Sequence, residues 1–159
     1  MPQSAAGTLI AAAWLHDIGY RSLLRDRGFH PLGRSTCAGK AGPSPCAIFV
    51  AHHSGSRFVA RVRGLDDQLR EFELVEDALS DALTVADNTA GPNGTVMTVD
   101  ERLRDKLTRH GRNSPNARAN PERDDYIRAA ARRVAQRLAA LEQRDTGLDR
   151  VDNQPGEHR

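Results

Sequence analysis

Val75-Glu76-Asp77-Ala78-Leu79-Ser80-Asp81-Ala82-Leu83-Thr84-Val85-Ala86-Asp87 decides the fold class, because Leu79, Ala82, Leu83 and Ala86 recur at helical spacing and give an amphipathic helix. The same reading applies further along. Thr98-Val99-Asp100-Glu101 is a capping box that starts a helix running to about His110. From Glu122 to about Glu142, Ile127, Ala130, Ala131, Val134, Leu138 and Leu141 form one stripe against an Arg-rich face, giving a long helix. Upstream, Ala5 to Leu15 is Ala-rich, with Leu9, Ile10 and Trp14 for a buried side, and reads as a helix ending near Gly19. Ala47 to His53 is an apolar run for which periodicity alone admits a strand or a buried helix; the helical pattern of the rest of the chain favours a helix. The expectation is an all-α domain.

Breaks separate these elements. Ser22 to Arg27 reads as a short helical turn ending at Gly28, Gly33 to Pro45 as a glycine- and proline-rich loop, and Leu65 to Phe72 as a connection or short helix. Ala90 to Gly94 interrupts the chain, and Gly111 to Pro121 reads as a loop. Residues 1–144 are expected to form one domain, and the polar, aperiodic residues 145–159 a disordered tail.

Bulk composition narrows the function classes. Among 159 residues, 23 Lys and Arg stand against 21 Asp and Glu, a formal net charge of +2, so no global charge favours nucleic acid. The helix bearing Arg128, Arg132, Arg133 and Arg137 also bears Asp124, Asp125 and Glu142, and aromatic content is only 4%, so a charged solvated face is expected there and not a nucleic-acid surface. Cys37 and Cys46 are too few for a disulfide framework and read as two ordinary loop thiols. There is no basic segment followed by an apolar run at the N-terminus and no stretch near the ~20 apolar residues of a membrane span, so the expected location is the cytoplasm, with no membrane partner.

The chemistry-bearing residues lie at the ends of apolar segments. His16-Asp17 follows Ala11 to Leu15, His52-His53 follows Ala47 to Ala51, and Asp87 lies one turn beyond Leu83. An ionisable group in such a place is costly unless a cation or a hydrogen-bond partner meets it. His and Asp together suit Mn, Fe, Zn, Co or Ni better than Ca. A divalent cation there lowers the pKa of a bound water to about 7 and neutralises phosphoryl charge. Taken one at a time these residues say little: His30 alone is a core histidine, and His110 before Gly111 suits a helix C-terminus. Their specificity lies in the ordered set.

Trp14-Leu15-His16-Asp17-Ile18-Gly19-Tyr20, Gly28-Phe29-His30-Pro31-Leu32, Val50-Ala51-His52-His53-Ser54-Gly55 and Ala86-Asp87-Asn88-Thr89, in that order, resemble the HD-domain metal-dependent phosphohydrolases over roughly residues 11–109. The resemblance implies an HD-domain-like helical bundle in which His16, Asp17 and Asp87 hold one metal ion. His30 and one of His52 and His53 resemble the further ligands of two-metal members. The assignment taken is His52 as a ligand and His53 as the residue that orients the phosphate. Arg57 and Arg63 are candidates for phosphate contact through a fork of donors, beside the plainer role of a solvated basic face. The implied activity is hydrolysis of a nucleotide or other small phosphate ester with one or two divalent ions (Mn, Fe, Zn, Co, Ni or Mg). The alternative is a degenerate, non-catalytic module that binds a nucleotide or a protein.

Two departures accompany the resemblance. The family pattern places an earlier His on a preceding helix, whereas the 15 residues before His16 contain none, so the first ligand helix is expected to be missing. After His30-Pro31-Leu32 the chain reads Gly33-Arg34-Ser35-Thr36-Cys37-Ala38-Gly39-Lys40, with poor helix propensity where relatives look helical.

Overall fold

The described residues form seven helices, three of which pack against the last. The computed structural model describes residues 4–17, 31, 38–39, 42–91 and 93–151. The helices are α1 (Ala5–Leu15), α2 (Pro45–His52), α3 (Ser56–Arg63), α4 (Asp66–Leu69), α5 (Ala78–Asp87), α6 (Val99–His110) and α7 (Pro115–Val151), with a 3-10 turn over His53–Gly55 between α2 and α3. The expected turn at Ser22–Arg27, as well as Gly19 and His30, lies outside the described residues. The fold is all-α. Extended pairing among the described residues is confined to two-residue strands, β1 (Ala38–Gly39) and β2 (Gly42–Pro43), antiparallel with Ala38 opposite Pro43, inside the expected loop. No helix among the described residues is long and apolar enough to cross a membrane.

Caps fix the boundaries. Thr98 accepts from the Glu101 amide while Glu101 returns the bond, and α6 ends at Gly111, as the sequence implied. For α5 the expected start at Val75 moves to Ala78, because Asp77 caps the helix: its carboxylate accepts from the Leu79 and Ser80 amides and Ser80 returns a bond to the Asp77 amide. Residues 56–63, unassigned in the sequence reading, form α3. It buries Val59 and Ala60, exposes Arg61 and Arg63, and ends at Gly64 (φ 67°), where the Leu65 amide reaches back to the Ala60 carbonyl at 2.9 Å.

The expected loop from Gly111 to Pro121 is corrected more strongly. Ser114 caps the Ala117 amide, Pro115 takes the first helical position where its missing N–H costs nothing, and α7 runs through Pro121. Asn116 and Asn120 both accept from the Arg123 guanidinium at 2.8 Å, bracing the turn on either side of that proline. The helix also continues through residues 145–151, where a disordered tail was expected. Cys46 lies buried in the first turn of α2, not in a loop.

Helix α7 packs against α3, α5 and α6, while α1 and α2 pack on each other and on α5. One apolar cluster joins Ala47, Ala51, Val59, Ala60, Leu69, Phe72 and Ala119; a second joins Ala12, Cys46 and Leu83. Since α5 is covered by α1 on one side and α7 on the other, it buries a polar row as well: Asp81, Thr84 and Asn88 are as enclosed as Leu83, while Ala86 of the expected apolar stripe is exposed. Asp81 meets the Arg-rich face of α7. Arg133 donates to it through two nitrogens at 2.9 and 2.6 Å and Arg137 through a third at 2.7 Å. Arg128 is tied to Asp100 at 2.9 Å. The basic face is thus partly spent on the protein's own carboxylates.

Candidate metal centre

Three helices end at one place. His16 caps the C-terminus of α1, with Asp17 next to it; His53 caps the C-terminus of α2; Asp87 is the last residue of α5 and Asn88 its cap. Each C-terminus carries the negative end of a helix dipole, so their meeting favours a positive charge even before side chains are counted.

The His16 Nδ1 lies 2.7 Å from the Ala13 carbonyl. A carbonyl only accepts, so this nitrogen carries the proton and donates, which turns Nε2 toward the carboxylates. Nε2 is 3.3 Å from Asp17 Oδ2 and 3.7 Å from Asp87 Oδ1. Hydrogen bonds to Asp17 and then Asp87 outweigh burial and push the His16 imidazole pKa up to about 10. His53 repeats the pattern: its Nδ1 donates to the Val50 carbonyl at 2.6 Å, and its ring meets that of His16 edge-on with centroids 5.3 Å apart. Burial lowers the His53 pKa, against the raising effect of Asp87, so its ring is neutral at pH 7.

Asp87 is held from behind. Ser54 Oγ donates to its Oδ2, and Lys106 Nζ donates to the same oxygen at 3.0 Å and to Asn88 Oδ1 at 2.9 Å. Asn88 in turn donates to Ser54 Oγ at 3.0 Å and to the Thr84 carbonyl at 2.8 Å. Burial alone would raise the Asp87 carboxyl; the His16 hydrogen bond, the charge of Lys106 and the Ser54 hydroxyl hold it well below the usual range. Oδ2 is therefore fixed by the protein, while Oδ1 faces His16.

Ser54 reaches Asp87 from a left-handed backbone (φ 51°), an uncommon state for a residue with a Cβ. The hydroxyl and the backbone are separable. Ser54→Gly relieves the left-handed strain while losing both hydroxyl hydrogen bonds, to Asp87 and from Asn88, whereas Ser54→Ala loses the same two bonds and keeps the strain, so the Ala variant is expected to be less stable than the Gly variant by about 1 kcal/mol. Thermal unfolding followed by circular dichroism checks the pair; equal destabilisation by Gly and Ala would deny the left-handed turn any cost.

The chain matches no family model, no curated protein and no solved structure.

Of the residues expected from sequence, His16, Asp17, Asp87 and His53 come together, and His30 is outside the described residues. His52 and Arg57 do not join them. The backbone turns out of α2 at His53 (φ −59°, ψ 150°), so the two adjacent rings diverge. His52 points the other way, bonding through Nε2 to the Phe72 carbonyl at 2.9 Å, with burial lowering its pKa. The pair is thus corrected: His53 faces the cluster and His52 does not. Arg57 is likewise spent elsewhere, paired with Glu76 at 2.7 Å and laid over the Phe58 and Tyr126 rings at 4.9 and 4.8 Å. Ser54, Asn88 and Lys106 were missed as site residues. Lys106 had one signal: it is one of two lysines beside 21 arginines, and its compact ammonium bridges Asp87 and Asn88.

The donors suit a divalent ion. With metal–ligand distances near 2.1 Å, neighbouring ligand atoms are separated by about 3.0–3.4 Å, close to the separations His16 Nε2 makes with its two carboxylates. Among the described residues no three His, Cys, Asp or Glu side chains already form a closed ligand group. The Asp17 side chain is 57% exposed, so its carboxylate is open to solvent and to an incoming ion.

Proposed function

We propose that this chain is a metal-dependent phosphohydrolase with an HD-domain-like helical bundle, acting on a nucleotide or another small phosphate ester. What supports the reading most is the arrival of Asp87, distant in sequence, beside the adjacent His16 and Asp17 at one point where three helix C-termini meet. His16 Nε2, Asp17 and Asp87 Oδ1 would hold one divalent ion, of the Mn, Fe, Zn, Co, Ni or Mg class. When bound, it supplies activation of a water nucleophile and neutralisation of phosphoryl charge. The protein's own residues do the rest. Ser54 and Lys106 fix Asp87 Oδ2, the Ala13 carbonyl fixes the His16 tautomer, and His53 borders the site as a neutral, enclosed imidazole able to orient a phosphate. A cytoplasmic setting fits this chemistry and the scarcity of cysteine.

One observation favours a second reading. Lys106 already neutralises Asp87, which is what a degenerate, non-catalytic nucleotide- or protein-binding module would retain. The experiment that separates them measures metal content by elemental mass spectrometry on the full chain incubated with each cation, beside Asp17→Ala, followed by phosphate release from bis-p-nitrophenyl phosphate and a nucleotide panel. The expected result is about one equivalent of a transition metal, lost in Asp17→Ala, with metal-dependent release by the wild type. Metal without turnover would support the binding module, and no metal in either protein would overturn the proposed function.

A further inference from the structure

We infer that the face of α6 beside Asp87 is a phosphate subsite, built on Lys106, Arg102 and Arg123 with Arg109 at its rim. The inference rests on the proposed function and names the protein groups that grip the anion in place of Arg57.

The argument begins with charge that lacks an answer. Helix α6 carries Arg102, Lys106 and Arg109 at steps of four and three residues, which places them on one face. Arg123 approaches from α7. Arg123 and Arg102 are only 6% and 9% exposed. A buried guanidinium is ordinarily met by a carboxylate, because burying charge without one is costly. Arg123 instead donates to two neutral amides, Asn116 Oδ1 and Asn120 Oδ1. The Asp124 carboxylate stands 3.9 Å from its Nε, beyond hydrogen-bond length, and burial pushes that carboxyl up. The Nε atoms of Arg123 and Arg102 are both buried with no hydrogen-bond partner among the described residues. Arg102 and Arg109 share a single carboxylate, Asp105, at 2.7 and 2.8 Å.

Lys106 has Asp87, but a divalent ion on Asp87 would claim much of that attraction. Four cations would then face Asp105, shared by two of them, and Asp124 at 3.9 Å from Arg123. They act over a common patch: burial and then the charges of Arg109, Arg123, Lys106 and Arg102 all disfavour protonation of His110. An anion with several acceptor oxygens answers such a patch. Lys106 is equipped for the exchange. Asn88 Oδ1 anchors its ammonium at 2.9 Å while a second N–H turns from Asp87 to a phosphate oxygen. Cation and phosphate then favour each other's binding, by the same factor in both directions.

Isothermal titration of inorganic phosphate into the full chain, with and without Mn²⁺, tests this. Wild type is expected to bind phosphate, and more tightly with Mn²⁺ present. Lys106→Gln is expected to weaken phosphate binding about tenfold or more both without and with Mn²⁺, the metal-free titration separating this loss from any effect on Mn²⁺ through the freed Asp87. Circular dichroism reports whether that variant is folded; if it is not, Arg109→Gln at the 43%-exposed rim decides, with an expected weakening of about threefold. If Mn²⁺ binds but phosphate affinity is the same in wild type and in the folded variants, the subsite is overturned and the metal reading stands. If Mn²⁺ does not bind yet phosphate does, and is weakened in the variants, the subsite stands and the metal reading fails. Absence of phosphate binding to wild type under both conditions overturns the subsite.

Discussion

Asp87→Ala is expected to lower the melting temperature by roughly 10–15 °C and to abolish metal loading. The size follows from what the substitution leaves behind. Lys106 is 16% exposed and loses its carboxylate, and breaking a buried pair on one side costs about 3–5 kcal/mol; in a domain of this size each kcal/mol moves the midpoint by about 2–4 °C. Ser54 and His16 lose their partner in the same step. Because the orphaned ammonium dominates, Asp87→Ala with Lys106→Met should regain about half of the lost stability while still failing to load metal. Differential scanning calorimetry and metal analysis on the two variants check both halves. A double variant no more stable than the single one would show that Lys106 is not what makes Asp87 structurally expensive to remove.

Asp81→Ala should be nearly as damaging to the fold and silent at the candidate site. Its carboxylate is 5% exposed and takes three charged hydrogen bonds from Arg133 and Arg137, which fasten α7 to α5. Both arginines are 43% exposed and rehydrate readily, so the expected loss is about 2–3 kcal/mol, less than for Asp87. The pair also sets an acid limit. Burial would raise the Asp81 carboxyl, but the two guanidiniums outweigh it and hold it below its ordinary value of 3.8. A carboxyl with a depressed pKa in the fold contributes in full above its unfolded value and loses that contribution as pH falls through the folded one. Wild type should therefore lose stability on acidification below about pH 4, and Asp81→Ala should show a shallower acid limb. Urea unfolding between pH 3 and pH 7 measures this. Parallel limbs would assign the acid sensitivity to other carboxylates.

The all-α class was legible because capping chemistry is local. Thr98 with Glu101 marked α6 outright, and Asp77 with Ser80 would have marked α5 had the cap been weighed above the apolar stripe. The start of α7 was hidden behind Gly111 and Pro121. Two loop-forming residues masked Ser114-Pro115, and a proline inside a helix is tolerated here where Asn116, Asn120 and Arg123 brace the turn around it. The cluster was legible in its principal members, His16, Asp17, Asp87 and His53, since each follows an apolar segment whose end must face something polar. The choice between His52 and His53 was not legible, because it depends on how the chain leaves α2. Lys106 was not legible either. Its role comes from α6 crossing the end of α5, a contact that depends on tertiary packing.

Helix α7 joins two regimes in one element. Ile127 and Ala130 are 1% and 0% exposed, whereas Leu138 and Leu141 stand 56% and 53% open. A helix of 37 residues spans about 55 Å, roughly twice the reach of a small bundle. With its apolar positions open past the clasp of Arg133 and Arg137 on Asp81, the far portion draws less on packing than the near one, so backbone protection from hydrogen exchange should fall along the helix beyond that clasp.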